Sequence, residues 1–363
     1  MSSLIHRLRG ELAASANPLR EAELAARLAA NLARFGQFDE ARKIVAELRQ
    51  RHGDARSGPA TLWIMVAEAL IHLFFDLSPV AYDRIERAQR LGLALGYSSI
   101  VAIASAWKAH IELERSDYAA MAKSIVAARA HVGEDDLDTH SRIAIVLCNA
   151  YTVLGERKKT QFWFLRGRDH AVKNGDQASI EALLYNRAAL GISTLRAQNC
   201  IAQVSPSEVA SFRSEVKSAT NLQDLTRIAA LTNHVRLWDA RLNILEGRFD
   251  EAISALEAVR IGGPFANYNF SQHMIEIELS YCSFQIGDIQ AALNRSSLVD
   301  RSALVGLDID ELMVAAWMDL RMASIDARFG DERLLSLELE SKVASYHESQ
   351  RRLLQALEEV EDA

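Results

Sequence analysis

Three groups of side chains in the 363-residue chain have the types and spacing to do chemistry. His273, Glu276 and Glu278 form the first. On a helix, residues three apart share a face, which would begin a metal site, but the further ligands of a closed site are absent. A solvated helix face is the simpler reading. The second group, Asp135, Asp136 and Asp138, precedes a helical pattern. Acids there cap the first turn and meet the positive end of the helix dipole, which favours capping over a calcium loop. In the third, Arg157, Lys158, Lys159, Arg166, Arg168 and Lys173 surround Phe162, Trp163 and Phe164. Cations interleaved with aromatics bind single-stranded nucleic acid by charge and stacking. At helical spacing, though, Phe164 falls on a packing position and the cations become the wet side of the same helix. Cys148, Cys200 and Cys282 are odd in number and far apart, so they form neither a disulfide framework nor a metal knuckle. No Walker loop, dinucleotide fingerprint, nucleophile elbow or H-E-x-x-H motif occurs. No catalytic residue, metal or cofactor is expected.

Bulk properties narrow the partners. A net charge of -7 and a pI near 5.9 weigh against a general nucleic-acid binder, which needs a basic footprint. Apolar residues make up 49 %, enough for a sizeable core, while five prolines and seventeen glycines leave helix as the favoured state throughout. Residues 2–11 lack the apolar run of a secretory signal. The best uncharged apolar candidate for a span, 98–107, is too short to cross a bilayer. A cytoplasmic protein without a membrane partner is expected.

The elements follow from a phrase that returns. Gly36-Gln37-Phe38-Asp39-Glu40-Ala41 recurs as Gly247-Arg248-Phe249-Asp250-Glu251-Ala252. Each time an apolar helical pattern runs up to a glycine, turns, and restarts as a second amphipathic helix. Weaker versions stand at Ser116, Gly155, Gly287 and Gly330. The restarting helices begin near residues 38, 79, 118 and 158, a period of about forty, and again near 249, 289 and 332. Between the two runs the spacing breaks step. A helix over 177–197, a loop over 199–203, a helix start at Ser205-Pro206-Ser207-Glu208, a short helix to 219 and a long one over 221–246 are predicted. The organisation is therefore a repeat array over 1–175, an irregular connector over 176–222, a second array over 223–330 and a terminal helix over 331–363. Loops with glycine and proline at 52–60 and 262–264 are further expected breaks.

Leu28, Ala29, Leu32, Gly36, Phe38, Glu40, Ala41 and Val45 stand where the tetratricopeptide repeat (TPR) family places its small and large residues. Ala240, Gly247, Phe249, Glu251, Ala252 and Leu256 form a second such set, with Arg236 and Asp239 departing from the pattern. The chain thus resembles the TPR superfamily, in the divergent long-period form of bacterial regulators and of regions ahead of diguanylate cyclase domains. The resemblance implies an all-α superhelix, a TPR-like solenoid of antiparallel helical hairpins. It also implies binding on the concave surface, lined by the first helix of each hairpin. Projected onto this chain, that surface offers Trp63, Trp107, His110, Arg142, Asn149, Asn186, His234, Arg241, Tyr281 and Trp317. Aromatic anchors with guanidinium and amide groups suit a protein or peptide partner. The alternative for the same residues is packing between hairpins. The family's carboxylate clamp, built on Lys and Asn, is matched only by Asn149.

Leu339, Val343, Tyr346, Gln350, Leu353, Leu357 and Val360 recur at spacings of four and three, a heptad seam with one polar member. Either a homodimer through residues 339–360 or a helix capping the array would cover it. The expected function is a non-catalytic binding module for a protein, peptide or small effector in signalling or regulation. A constitutive scaffold or chaperone, and the sensory region of a larger signalling enzyme, are the alternatives.

Overall fold

The computed structural model describes residues 2–52, 58–76, 78–226, 232–261 and 272–363, and over these the chain is all-α, with no strand. Two compact units divide it: Met1–Tyr151 with Arg157–Leu183 and Arg352–Ala363, and Thr152–Glu156 with Leu184–Arg351. Unit 1 contains α1 (Ser3–Ala14), α2 (Pro18–Arg34), α3 (Phe38–His52), α4 (Pro59–Asp76), α5 (Val80–Leu95), α6 (Ser98–Glu114), α7 (Tyr118–His131), α8 (Leu137–Val153) and α9 (Arg157–Asn174). Unit 2 takes most of α10 (Gln177–Ile201), then α11 (Pro206–Thr226), α12 (Thr232–Leu245), α13 (Phe249–Ile261), α14 (Gln272–Gln285), α15 (Ile289–Ser296), α16 (Ile309–Ala323) and much of α17 (Glu332–Asp362). The division falls inside α8, α10 and α17, whereas the sequence reading placed its boundaries near 175, 222 and 330. No helix of the described residues is long and apolar enough to cross a membrane.

The hairpins are built by one turn, repeated. At the end of α2, Gly36 has φ +71°, its N–H donates to Ala33 O at 3.0 Å, and the Gln37 N–H donates to Leu32 O at 3.0 Å. After α12, Gly247 has φ +73°, with Gly247 N to Ile244 O at 3.1 Å and Arg248 N to Asn243 O at 2.9 Å. This pair of bonds satisfies the last carbonyls of the first helix and reverses the chain. Ser116 adopts φ +57° at the equivalent turn between α6 and α7, where Ser116 N donates to Leu113 O at 3.0 Å and Asp117 N to Glu112 O at 2.9 Å. The next helix is then capped by its own acid. The Asp117 side chain accepts from Ala120 N, and that of Asp288 from Ala291 N. Asp136 likewise accepts from Thr139 N at 3.2 Å, the capping role read from sequence.

Antiparallel neighbours then pack in sequence order: α2 on α3 and α4, α4 on α5, α5 on α6, α6 on α7, and in unit 2 α11 on α12, α12 on α13, α13 on α14, α14 on α15 and α16. This is the construction of a TPR-like α-solenoid. Ala41 and Ala252, the alanines of the repeated phrase, are both 0 % exposed. At Ala252 the neighbours include Leu237, Ala240 and Leu256. Ala252→Leu would insert three carbons into that contact and is expected to destabilise unit 2 by about 1–3 kcal/mol. Urea unfolding of the variant against the parent checks this; equal stability would contradict the packing described.

The connector departs from the sequence reading. α10 continues through Asn199 to Ile201, where a loop was expected, and α11 runs through residue 221 to Thr226, where a break was expected. The Ser205 start is as read: Glu208 N donates to Ser205 Oγ at 3.3 Å and Ser205 N to Glu208 Oε2 at 3.0 Å, a capping box with Pro206 at the first helical position. The expected loop at 262–264 and most of that at 52–60 lie outside the described residues.

The heptad seam of α17 is covered by its own chain. Tyr346 packs with Ala197 and Met313, and Gln350 Nε2 donates to Val153 O at 3.0 Å. Leu353, Leu357 and Val360 are at most 1 % exposed, while Arg129 Nη1 donates to Val360 O at 2.6 Å. Of the stripe through which a homodimer over residues 339–360 was expected, Tyr346, Leu353, Leu357 and Val360 are thus buried within the chain, and Leu339 and Val343 are half-buried.

Candidate functional site

Each unit has its own hollow. In unit 2 a cavity of about 440 Å³ is lined by Cys200, Phe249, Tyr281, Trp317, Met318 and Arg321, with Arg196 and Arg241 also on its wall. The aromatics come from α13, α14 and α16, and they brace one another. The Phe249 and Tyr281 rings meet edge to face at 6.1 Å, and Tyr281 and Trp317 at 5.5 Å. The Arg321 guanidinium lies over Trp317, 5.2 Å from the ring centroid. Burial pushes the Tyr281 hydroxyl up to about 12 and the Cys200 thiol up to about 12, so neither supplies an anion at neutral pH.

Behind the aromatics lies a buried quartet. Arg196 and Arg241 both bind Glu278 and Glu311: Arg241 Nε to Glu278 Oε1 at 3.0 Å, Arg241 Nη1 to Glu311 Oε1 at 2.9 Å, and Arg196 Nη1 to Glu311 Oε1 at 2.9 Å, with a further Arg196–Glu278 contact. Burial opposes the charge of Glu311, yet Arg196 and Arg241 hold its carboxyl below the usual range. Two cations face two anions, so the quartet is a closed ionic wall rather than a free charge for a ligand.

Unit 1 has a narrower slot of about 30 Å³, lined by Arg27, Arg34 and Arg142 with Trp63, Trp107 and Asp138 among others. α2, α4, α6 and α8 each supply part of it. Arg27 Nη2 donates to Asp138 Oδ2 at 3.0 Å, and Arg34 donates to Asp176 Oδ2 at 2.9 Å and Ser179 Oγ at 2.8 Å. Arg142 lies on the face of Trp107, with Cζ 3.5 Å from the ring centroid.

Six of the ten residues projected from the repeat pattern therefore line a hollow: Trp63, Trp107 and Arg142 in unit 1, and Arg241, Tyr281 and Trp317 in unit 2. The other four do not. His110 stands beside the slot, its ring 5.7 Å from Trp107 and its Nε2 3.1 Å from Glu114. Asn149 is buried further along α8, and among the described residues its Oδ1 has no hydrogen-bond partner. Half-buried Asn186 and buried His234 line neither hollow; the His234 ring packs against Tyr185 at 5.7 Å. The pattern missed Arg27, Arg34, Arg196, Cys200 and Met318. Arg27, Asn31 and Arg34 carry a signal, a polar stripe at i, i+4 and i+7 on an alanine-rich helix; for Arg196 and Cys200 none exists.

The groups first read for chemistry are dispersed. His273 Nδ1 accepts from Asp300 N at 3.1 Å, Glu276 pairs with Arg295 at 3.2 Å, and Glu278 is in the quartet. Among the described residues no His, Cys, Asp or Glu group is placed to hold a metal ion. Phe164 is buried, whereas Phe162 is 51 % exposed beneath Arg166.

No family profile matches the chain, and no curated protein matches it. Among solved structures it is similar to that of Rap protein complexed with competence and sporulation factor, at TM-score 0.62 and 12 % identity, over 95 % of this chain and 94 % of that one. At that identity the likeness carries the fold: the helical-hairpin architecture described above extends through nearly the whole length of both chains.

Proposed function

We propose that the chain is a non-catalytic regulatory module that binds a protein or peptide partner through the aromatic cavity of unit 2. The observation that carries this is the pairing of an apolar wall of Phe249, Tyr281 and Trp317 with an ionic wall that is already neutralised. Such a hollow accepts an apolar side chain and offers its polar rim to the backbone beside it. Its volume falls within the range of about 300–1,000 Å³ typical of ligand sites. Tyrosine and tryptophan side chains that become desolvated in a pocket are among the residues that dominate partner binding energies. Likeness to a protein solved in complex with a factor supports a partner-bound role.

Panning a random peptide library on the purified chain, then measuring the recovered sequences by calorimetry, tests the proposal. Enriched sequences should share an aromatic or long aliphatic residue. Trp317→Ala should weaken them at least tenfold, about 1.4 kcal/mol, with helical content unchanged. Enrichment of no sequence, or equal binding by the Trp317 variant, would overturn it.

A further inference from the structure

Arg142 is the unusual charge of unit 1. It is 4 % exposed, yet among the described residues no carboxylate and no hydrogen-bond acceptor pairs with its guanidinium. A buried charge without a partner is strongly unfavourable, and folded chains normally pair or neutralise it. Its neighbours are fully occupied. Arg27 is paired with Asp138. Arg34 gives its donors to Asn31 Oδ1, Asp176 and Ser179. Among the described residues, Arg142 is thus the one guanidinium of the three with no acceptor on its donors. Burial, and then the charge of Arg34, pull the Arg142 guanidinium well below its ordinary value, a penalty that an anion received in the slot would relieve. Glu114, a further acid whose charge acts on Arg142, is 54 % exposed and bonded to His110, not to the guanidinium.

We propose that this slot is a binding site for a single carboxylate group, received on the in-plane donors of Arg142. Three features select that chemistry. Arg142 offers one unoccupied set of donors, enough for one planar anion, while Asp138 on the wall disfavours a ligand of higher negative charge such as dianionic phosphate. The volume of about 30 Å³ is room for about two waters, the size of a carboxylate. A guanidinium that lies flat on an indole keeps its N–H groups in their own plane, the geometry that meets a planar carboxylate two-fold. Leu70 and Ile103 on the same wall would take the carbon that carries the acid.

The site does not depend on the unit 2 cavity, and its probes are separate. Saturation-transfer NMR on the full chain, titrated with sodium propionate, propionamide, N-acetyl-leucine and inorganic phosphate, gives the test. Propionate should bind at millimolar concentration, propionamide at least tenfold more weakly, and phosphate should not compete. A preference for N-acetyl-leucine over propionate would assign the carboxylate to a peptide C-terminus, and the reverse to a free small acid. Arg142→Gln should lose propionate at least tenfold, with Arg142→Lys between. The melting temperature of Arg142→Met should be equal to or above that of the parent, because a residue held for a ligand is a burden to the empty fold. Equal binding of acid and amide, competition by phosphate, or propionate binding that survives Arg142→Gln would each overturn the proposal. So would an Arg142→Met variant that melts several degrees lower while the parent binds no acid, which would make Arg142 structural.

Discussion

Glu278→Ala is expected to lower the stability of unit 2 by about 3–5 kcal/mol, the loss seen when one partner is taken from a buried ion pair. Glu278 is 0 % exposed and is bound by both Arg196 and Arg241. Without it two guanidiniums, each only 4 % exposed, share Glu311 alone. The size of the effect comes from that stranded cation and not from the strength of the original pairs. A control makes the distinction. Replacing all four quartet residues with Leu or Met should be far less harmful than the single change, since no charge is then left unpaired. Urea unfolding, with hydrogen exchange of α12, α14 and α16 to assign the loss to unit 2, is the measurement. A single variant as stable as its parent would mean that the quartet is open to water.

Much of the fold was legible because its turn chemistry is local. Gly36 and Gly247 announce a left-handed helix end, and the phrase after each contains the next helix start, so the turn and its partner helix can be read within a few residues. The misread break at 219–221 has an equally local cause. Thr220 and Asn221 are poor helix formers, but the Thr220 hydroxyl donates to Val216 O at 2.9 Å and Val216 is buried among Trp238 and Leu242. Tertiary packing overrides the weak propensity. The site was legible only in part. Trp63, Trp107 and Arg142 lie on first helices of successive hairpins, and the repeat period brings them to one place. Arg241 looked equally free to meet a ligand. Its partners Glu278 and Glu311 stand 37 and 70 residues away, on other hairpins, and no spacing rule reaches that far. The consequence is practical: Arg142 is the arginine to mutate when a ligand is sought, and Arg241 is one whose loss would first be felt as instability.

Leu357→Ala should reduce the stability of unit 1 by about 2–5 kcal/mol, the range for emptying a buried leucine site. The seam it belongs to was readable as a seam, but its destination was not, because residues 352–363 pack into unit 1 from the far end of the sequence. Leu353 and Leu357 are 0 % and 1 % exposed, and polar contacts hold the same turns. Arg129 donates to Val360 O, Tyr151 to Glu361, and Lys159 Nζ lies 2.6 Å from Glu361 Oε1. A helix end held by both burial and hydrogen bonds cannot leave for a second copy without exposing its own core. The variant should therefore unfold at lower urea, with faster hydrogen exchange in α8 and α9, while light scattering at about 100 μM gives one mass for parent and variant, as micromolar self-association would not. Deleting residues 352–363 should have a larger effect of the same kind. The contrary result is equally readable. A parent that is dimeric, and a Leu357→Ala variant that becomes monomeric with its unfolding midpoint unchanged, would show that the stripe meets another chain and that its burial within one chain is not the state in solution.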